Sequence, residues 1–241
     1  QTNRRFYYGP DVSEIILGDE QYYAVAIGSG FRAGPLNTEI EDEFYMIKDT
    51  GVFSTDSNGL FERPSLPITA SDLYDATSHL LTSSDTTERE LAQQTFADKD
   101  GWMMRLTEGG EKVLSSPLIL DYKIFFTTYL PASTSTSLCA PPTGNSRAYL
   151  VDLFNANAVS DLNEDGEETE DDRYAQLSQT GIAPDTKILI EDITEPVVCL
   201  GAECVSAVTK FDSDGNEIAC GSQFECLAQN IYGRFQRVQQ D

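Results

Sequence analysis

Between Ser160 and Arg173 the sequence reads SDLNEDGEETEDDR, with eight acids in the twelve residues from Asp161 to Asp172 and no base until Arg173. Asp161, Asn163 and Asp165 alternate along it, and Gly166 follows. That is the opening of an EF-hand-like calcium loop. Oxygens at positions one, three and five turn inward, and glycine at six makes the sharp bend. In this register Glu167 offers its carbonyl at seven, Thr169 falls at nine and Asp172 at twelve. A bidentate glutamate usually fills the last position; aspartate is one carbon shorter, so the loop must tighten or bind more weakly. Crowded carboxylates repel, and a divalent cation relieves the repulsion. The expected affinity is about 10⁻⁴–10⁻³ M, as for extracellular modules. A solvated acidic loop without an ion is the competing reading, and the glycine at position six puts calcium ahead of it.

The second concentration of reactive side chains is a run of cysteines. Cys199, Cys204, Cys220 and Cys226 crowd into 28 residues, spaced Cys-x4-Cys and Cys-x5-Cys, while Cys139 stands apart. Zinc would want a tighter C-x2-C spacing and a nearby histidine, and His79 is distant in sequence. Disulfides made in an oxidising compartment suit the pattern better. The preferred pairs are Cys199–Cys204 and Cys220–Cys226, each closing a short loop, with other pairings open. Cys139 is then free or bonded to a part of the protein beyond this sequence.

Catalytic constellations are harder to assemble. There is one histidine, no defensible Ser/His/Asp order and no dinucleotide or Walker pattern. Gly28-Ser29-Gly30 lacks the lysine and helix start of a phosphate cradle, and a nucleophile elbow wants G-x-S-x-G, so a strand exit with a tight turn is expected. Asp212-Ser213-Asp214-Gly215-Asn216 echoes a calcium loop with glycine in the wrong register; Asp-Gly there reads as a hairpin turn. Asp11, Asp42 and Asp49 fall near strand ends, where capping turns is the common role. His79 is expected to be a polar-surface or helix-packing residue.

The formal charge of −24, from 40 acids against 16 bases, disfavours nucleic acid, which needs clustered Lys and Arg. It disfavours an anionic membrane surface for the same reason. No apolar run approaches the roughly 20 residues of a membrane span. The opening QTNRRFYYGPD carries no signal-peptide pattern, which suggests a fragment of a longer protein or a removed leader.

Short strands must position these groups. RRFYYGPDVSEIIL, QYYAVAIGSG and EFYMIKD read as three strands. Residues 65–99 read as a helical insertion: Thr69 or Ser71 caps a first helix carrying Leu73, Tyr74, Leu80 and Leu81. Ser84 or Asp85 caps a second, ERELAQQTFADK, with Leu91 and Phe96 as its buried stripe. From Gly101 to Pro131, WMMRL, KVLSSPLIL and KIFFTTYL read as a three-stranded antiparallel meander. Its turns are Glu108-Gly109-Gly110-Glu111 and Asp121-Tyr122. Pro117 cannot donate to a ladder, so Ser115-Ser116-Pro117 marks an edge or bulge. RAYLVDLFNA, KILIEDI, PVVCL and CVSAVTKF supply further strands, and CLAQNIYGRFQRV a short helix with a closing strand. The fold class is mainly β, with partial β-propeller blades built as antiparallel meanders.

In combination, RRFYYGPDV, AVAIGSGFRAGPLN, DEFYMIKD, Trp102, Gly109-Gly110-Glu111, Ser116-Pro117 and Phe125-Phe126-Thr127-Thr128 through Pro131 to Cys139 resemble the last blades of the PilY family. Its members are tip-associated adhesins and biogenesis factors of type IV pili. The resemblance covers most of Arg4 to Ala158 and, more loosely, IYGRFQRVQ. It implies the C-terminal part of a modified seven-bladed propeller, exported through the periplasm to the pilus surface, non-enzymatic and calcium-responsive. The family's calcium loop belongs before the region where this chain begins, so Asp161–Asp172 is an independent candidate. Four-stranded blades take roughly 40–50 residues each, leaving material for three or four. Implied partners are the remainder of a longer chain or other copies of this one, pilins, and a host or abiotic surface. Two other readings compete: a filament subunit built by edge pairing of incomplete propellers, and a quinoprotein-like propeller dehydrogenase, which rests on fold analogy alone.

Overall fold

Side-chain alternation along three consecutive strands builds the first sheet. The computed structural model describes residues 3–18, 20–53, 55, 57–60, 67–132, 143–189, 196–200, 203–209, 211–216 and 218–232. Strands β1 (Asp11–Leu17), β2 (Glu20–Gly28) and β3 (Glu43–Asp49) run antiparallel, and β4 (Tyr74–Asp75) and β5 (Gly101–Arg105) complete the order β1-β2-β3-β5-β4. Tyr22, Ala24, Ala26, Phe44, Met46, Trp102 and Met104 are buried on one face, as period-two alternation requires. The two-residue β4 pairs parallel to β5.

The second sheet contains β6 (Lys112–Val113), β7 (Leu118–Leu120), β8 (Lys123–Leu130), β9 (Asn145–Asp152) and β10 (Tyr174–Thr180). Both β6 and β7 pair antiparallel with β8, on either side of Ser115-Ser116-Pro117; the proline breaks one edge strand into two, as its missing N–H dictates. Asp121 and Tyr122 hold φ of 46° and 57°, the two left-handed residues of a hairpin turn matched to strand twist. Six consecutive residues of β8, Ile124 to Tyr129, are buried. A strand buried on one face would alternate; this one is covered on both.

Ile124, Phe126, Tyr149 and Val151 pack into the core shared with the first sheet. Phe126 stacks on Phe44 with ring centroids 3.9 Å apart and on Tyr149 at 4.8 Å, and Trp102 Nε1 donates to the Leu153 carbonyl at 2.9 Å. Gly28 and Gly30 lie hard against Val113, where an added Cβ would run into its side chain or carbonyl. The Gly-Ser-Gly segment is thus a close approach between sheets. Val113 N–H donates to the Ser29 carbonyl at 2.9 Å.

Phe125, Ala148 and Leu150 point the other way, into a second core with Val198, Leu200, Phe224, Leu227 and Ala228. These come from a third sheet, β11 (Lys187–Leu189), β12 (Val197–Leu200) and β13 (Glu203–Ser206), and from a C-terminal helix. The architecture is mainly β: antiparallel sheets stacked face to face, as propeller-like blades are. The expected meander of Gly101–Pro131 is divided: β5 closes the first sheet on β3, and β6 opens the second. Of the two helices expected in 65–99, one forms, α1 (Thr86–Ala97), with Asp85 accepting from the N–H groups of Thr87 and Glu88; its buried residue is Ala92, while Leu91 is 65% exposed. The segment before it is 3-10 turns at Ala70–Asp72 and Leu80–Thr82 around β4, because Tyr74 and Asp75 are claimed by the sheet edge. The C-terminal helix is α2 (Gln223–Tyr232), and the closing strand expected after it lies outside the described residues, as does most of KILIEDI.

Candidate functional site: an acidic loop fastened by Asp172 and Arg173

The connection from β9 to β10 carries the acidic segment. Asp161 Oδ2 accepts the Gly166 N–H at 2.7 Å and its Oδ1 the Asp165 N–H at 3.2 Å. Asn163 Oδ1 accepts from Asp165 N–H at 2.9 Å, and Asp165 Oδ1 from Glu167 N–H at 2.9 Å. Glu164 and Gly166 take left-handed backbone, φ 59° and 92°, which turns the chain on either side of Asp165. Asn163, Asp165 and Glu167 are exposed and Asp161 is half-buried.

Asp172 does different work. It is 2% exposed. Its Oδ1 accepts from the N–H groups of Leu162 (2.9 Å) and Asn163 (3.1 Å), and its Oδ2 from the Thr169 N–H (2.8 Å) and hydroxyl (3.1 Å). One buried carboxylate therefore ties the two ends of the loop together with charge-assisted bonds. The same Thr-x-x-Asp turn occurs at Thr69–Asp72, where Asp72 Oδ2 accepts from the Thr69 N–H at 2.8 Å. Tested as a calcium loop, the segment fits in part: positions one, three and five gather on one bend, while the twelfth is committed to amides. Among the described residues no group of three or more His, Cys, Asp or Glu stands in metal-holding geometry.

Arg173 follows directly and is 1% exposed. Its Nη2 donates to the Ala76 carbonyl at 2.8 Å and its Nη1 to that of Thr77 at 3.1 Å, riveting the loop exit to the first sheet. Burial brings its pKa down to about 10, and Nε has no hydrogen-bond partner. Beside it His79, 6% exposed, accepts the Ala158 N–H on Nε2 at 3.0 Å. On the loop's other side Asn230 of α2 donates to Ser160 Oγ at 2.9 Å.

A second polar cluster sits in the core between the first two sheets. Glu111, 1% exposed, receives Arg147 Nη1 at 3.0 Å, the Thr128 hydroxyl at 2.6 Å and the Tyr149 hydroxyl at 3.0 Å. Burial pushes the Glu111 carboxyl up, and Arg147 pulls it back. Neighbouring Lys112 donates to the carbonyls of Pro35 (3.1 Å) and Asn37 (2.8 Å), joining the first sheet's long loop to the second sheet. Asp42 accepts the Ser29 hydroxyl at 2.7 Å, and burial raises its carboxyl. Asp11 Oδ2 accepts the Ile119 N–H at 2.6 Å and Asp49 Oδ1 the Gly51 N–H at 3.0 Å. Asp11 and Asp49 thus fasten backbone, and Asp42 a side-chain hydroxyl.

Sequence reasoning did not find β10, Arg173, or Glu111 with Arg147. The available signal was a lone arginine ending an acidic run and a charged pair heading an apolar strand. The sulfurs of Cys199 and Cys204 stand at bonding distance, Cα atoms 4.1 Å apart across β12–β13. Cys220 and Cys226 are likewise joined, Cα atoms 5.3 Å apart. Cys139 lies outside the described residues. Asp212–Asn216 forms a tight turn, Asp212 N–H donating to the Asn216 carbonyl at 2.8 Å, though no named strand adjoins it.

The molecule belongs to the class of stacked antiparallel-sheet proteins with propeller-type blades. It is similar in structure to the crystal structure of the Pseudomonas aeruginosa PilY1 C-terminal domain, with a TM-score of 0.52 and 13% sequence identity over 83% of this chain. The chain spans 44% of that domain's chain. No protein-family model and no curated protein matches the sequence. At this identity the likeness is one of fold.

Proposed function

We propose that this chain is part of a PilY-like β-propeller that works outside the cell with type IV pili, as a non-enzymatic adhesion or pilus-biogenesis protein. The observation that supports it is the structural similarity of this stack of antiparallel sheets to the PilY1 C-terminal domain over 83% of the chain. The cysteine pairs agree with an oxidising compartment, and among the described residues no helix is long and apolar enough to cross a membrane. Deleting the gene in its source organism and counting surface pili by electron microscopy tests the reading. Loss of pili, with immunogold label at pilus tips on complementation, is expected; unchanged piliation with label inside the cell overturns it.

The finer part of the proposal is that the acidic loop binds calcium through the side chains of Asp161, Asn163 and Asp165 and the carbonyl of Glu167, with Asp172 holding the loop closed. Calcium at about 1 mM, near the expected affinity, then raises the melting temperature, and Asp161→Asn with Asp165→Asn abolishes the rise. A melting temperature indifferent to calcium and chelator removes the ion from the account. A filament subunit built by edge pairing is a second reading, favoured by the place of β1 at the end of the first sheet's strand order, with Val12 (51%) and Ile16 (60%) exposed on it. Fibres of purified protein in the electron microscope would support it, and single particles would not.

A further inference from the structure

The histidine of this chain joins two segments 79 positions apart. Its backbone stands in the left-handed region, φ 50° and ψ 30°, a conformation a non-glycine residue holds only when its surroundings impose it. Its ring lies between two partners: Thr82 Oγ1 is 2.9 Å from Nδ1, and the Ala158 N–H donates to Nε2 at 3.0 Å. A nitrogen that accepts an amide hydrogen carries none of its own. The ring is therefore neutral, its proton is on Nδ1, and that proton goes to the threonine hydroxyl. Ala158 is itself buried, pairs with Val151 in an isolated bridge, and leads into Ser160 and the acidic loop. At the same joint Arg173 grips the carbonyls of Ala76 and Thr77. The insertion of the first sheet and both ends of the acidic connection thus meet at one imidazole.

We propose that His79 is a proton-operated latch between the Ala76–Thr82 segment and the entrance to the acidic loop, closed by the neutral ring and opened when Nε2 takes a proton. Protonation sets an N–H against the Ala158 N–H, and two donors cannot share a bond. The charged groups facing the ring are Arg173, which opposes a second positive charge, and Glu170 and Asp172, which favour it; the turn Leu80–Thr82 contributes none. Burial and Arg173 prevail, holding the imidazole down to about 4. The latch is shut near neutrality and yields in acid. Opening leaves Arg173 and the stacked sheets in place, so the effect is local.

Nitrogen-15 NMR of the intact chain, titrated from about pH 7.5 to 3.5, tests this, and the histidine signal is unambiguous because the sequence has one. The ring is expected to titrate near pH 4, with the Ala158 amide shift following the same midpoint. Hydrogen-exchange protection at Ala158 falls at least tenfold relative to the intrinsic rate, while the Phe126 amide is unmoved. In His79→Gln, whose side-chain oxygen accepts but does not titrate, the Ala158 shift is flat. Should that variant fail to fold, His79→Asn, better tolerated in left-handed backbone, replaces it. A ring titrating near its ordinary pKa, an Ala158 shift indifferent to it, or simultaneous loss of all amide signals at one midpoint would overturn the proposal.

Discussion

Adjacent phenylalanines on β8 serve different cores, which makes them a sharp test of the stacked architecture. Phe126 lies between Phe44 and Tyr149 in the core of the first two sheets, and Phe125, 2% exposed, belongs to the core of the second and third. Truncation to alanine would cost about 3–5 kcal/mol at either site, a large share of the roughly 5–15 kcal/mol that holds a domain together. Leucine is the better probe, because it keeps most of the volume and costs about 1–1.5 kcal/mol. Both single variants are expected to show this loss by urea denaturation, as a lower midpoint with unchanged m-value. Because the two rings face opposite ways with separate partners, the double variant loses the sum to within about 0.5 kcal/mol. In a two-layered protein one of these rings would face water. A variant of either residue that loses less than roughly 0.3 kcal/mol, inside the range of ordinary surface substitutions, refutes burial on both faces.

Further expectations concern the loop, the sulfurs and pH. Asp172→Ala strands the buried Leu162 N–H and removes three other donors' partner; a loss of about 3 kcal/mol is expected, with Asp172→Asn intermediate, measured by the same denaturation. Reducing Cys199–Cys204 and Cys220–Cys226, which close loops with separations of 5 and 6 residues, should cost about 2 kcal/mol each by loop-closure entropy, and an unchanged midpoint in reductant would contradict the pairing. The folded-state pKa of His79 lies below its ordinary value, at about 4, so between there and about 6.5 the unfolded chain binds the extra proton. The His79 contribution is complete above about pH 6.5 and is lost as pH falls through 4. Its full size is about 3 kcal/mol at 1.36 per pH unit, read as the difference in pH-dependent stability between wild type and His79→Gln.

Much of the strand content was legible because period-two alternation and turn chemistry are local signals. The ends of EFYMIKD, the break at Ser115-Ser116-Pro117 and the turn at Asp121-Tyr122 follow from residue type alone. Sheet membership was not legible, since WMMRL and KIFFTTYL share composition and only tertiary pairing sends β5 to β3. The failed helix at Leu73 and Tyr74 has the same origin: apolar spacing there matches a helix, but β5 offers Tyr74 and Asp75 a ladder. Within the loop, Asp161, Asn163, Asp165 and Gly166 announced a bend, and they make one. Nothing in the pattern announced that Asp172 would turn inward to amides, because that choice depends on the burial of Leu162 and Arg173. The joint at His79 depends on a contact between distant segments, which one sequence does not encode locally.

The first and second sheets lie face to face around a shared core. Proton–proton Overhauser measurements on the folded chain address this directly. Cross-peaks are expected between the Phe44 and Phe126 rings, 3.9 Å apart at their centroids, and between the Gly28 α-protons and the Val113 methyls. Their absence, with each sheet's own cross-strand peaks intact, would contradict the stacked architecture and the pilus reading built on it.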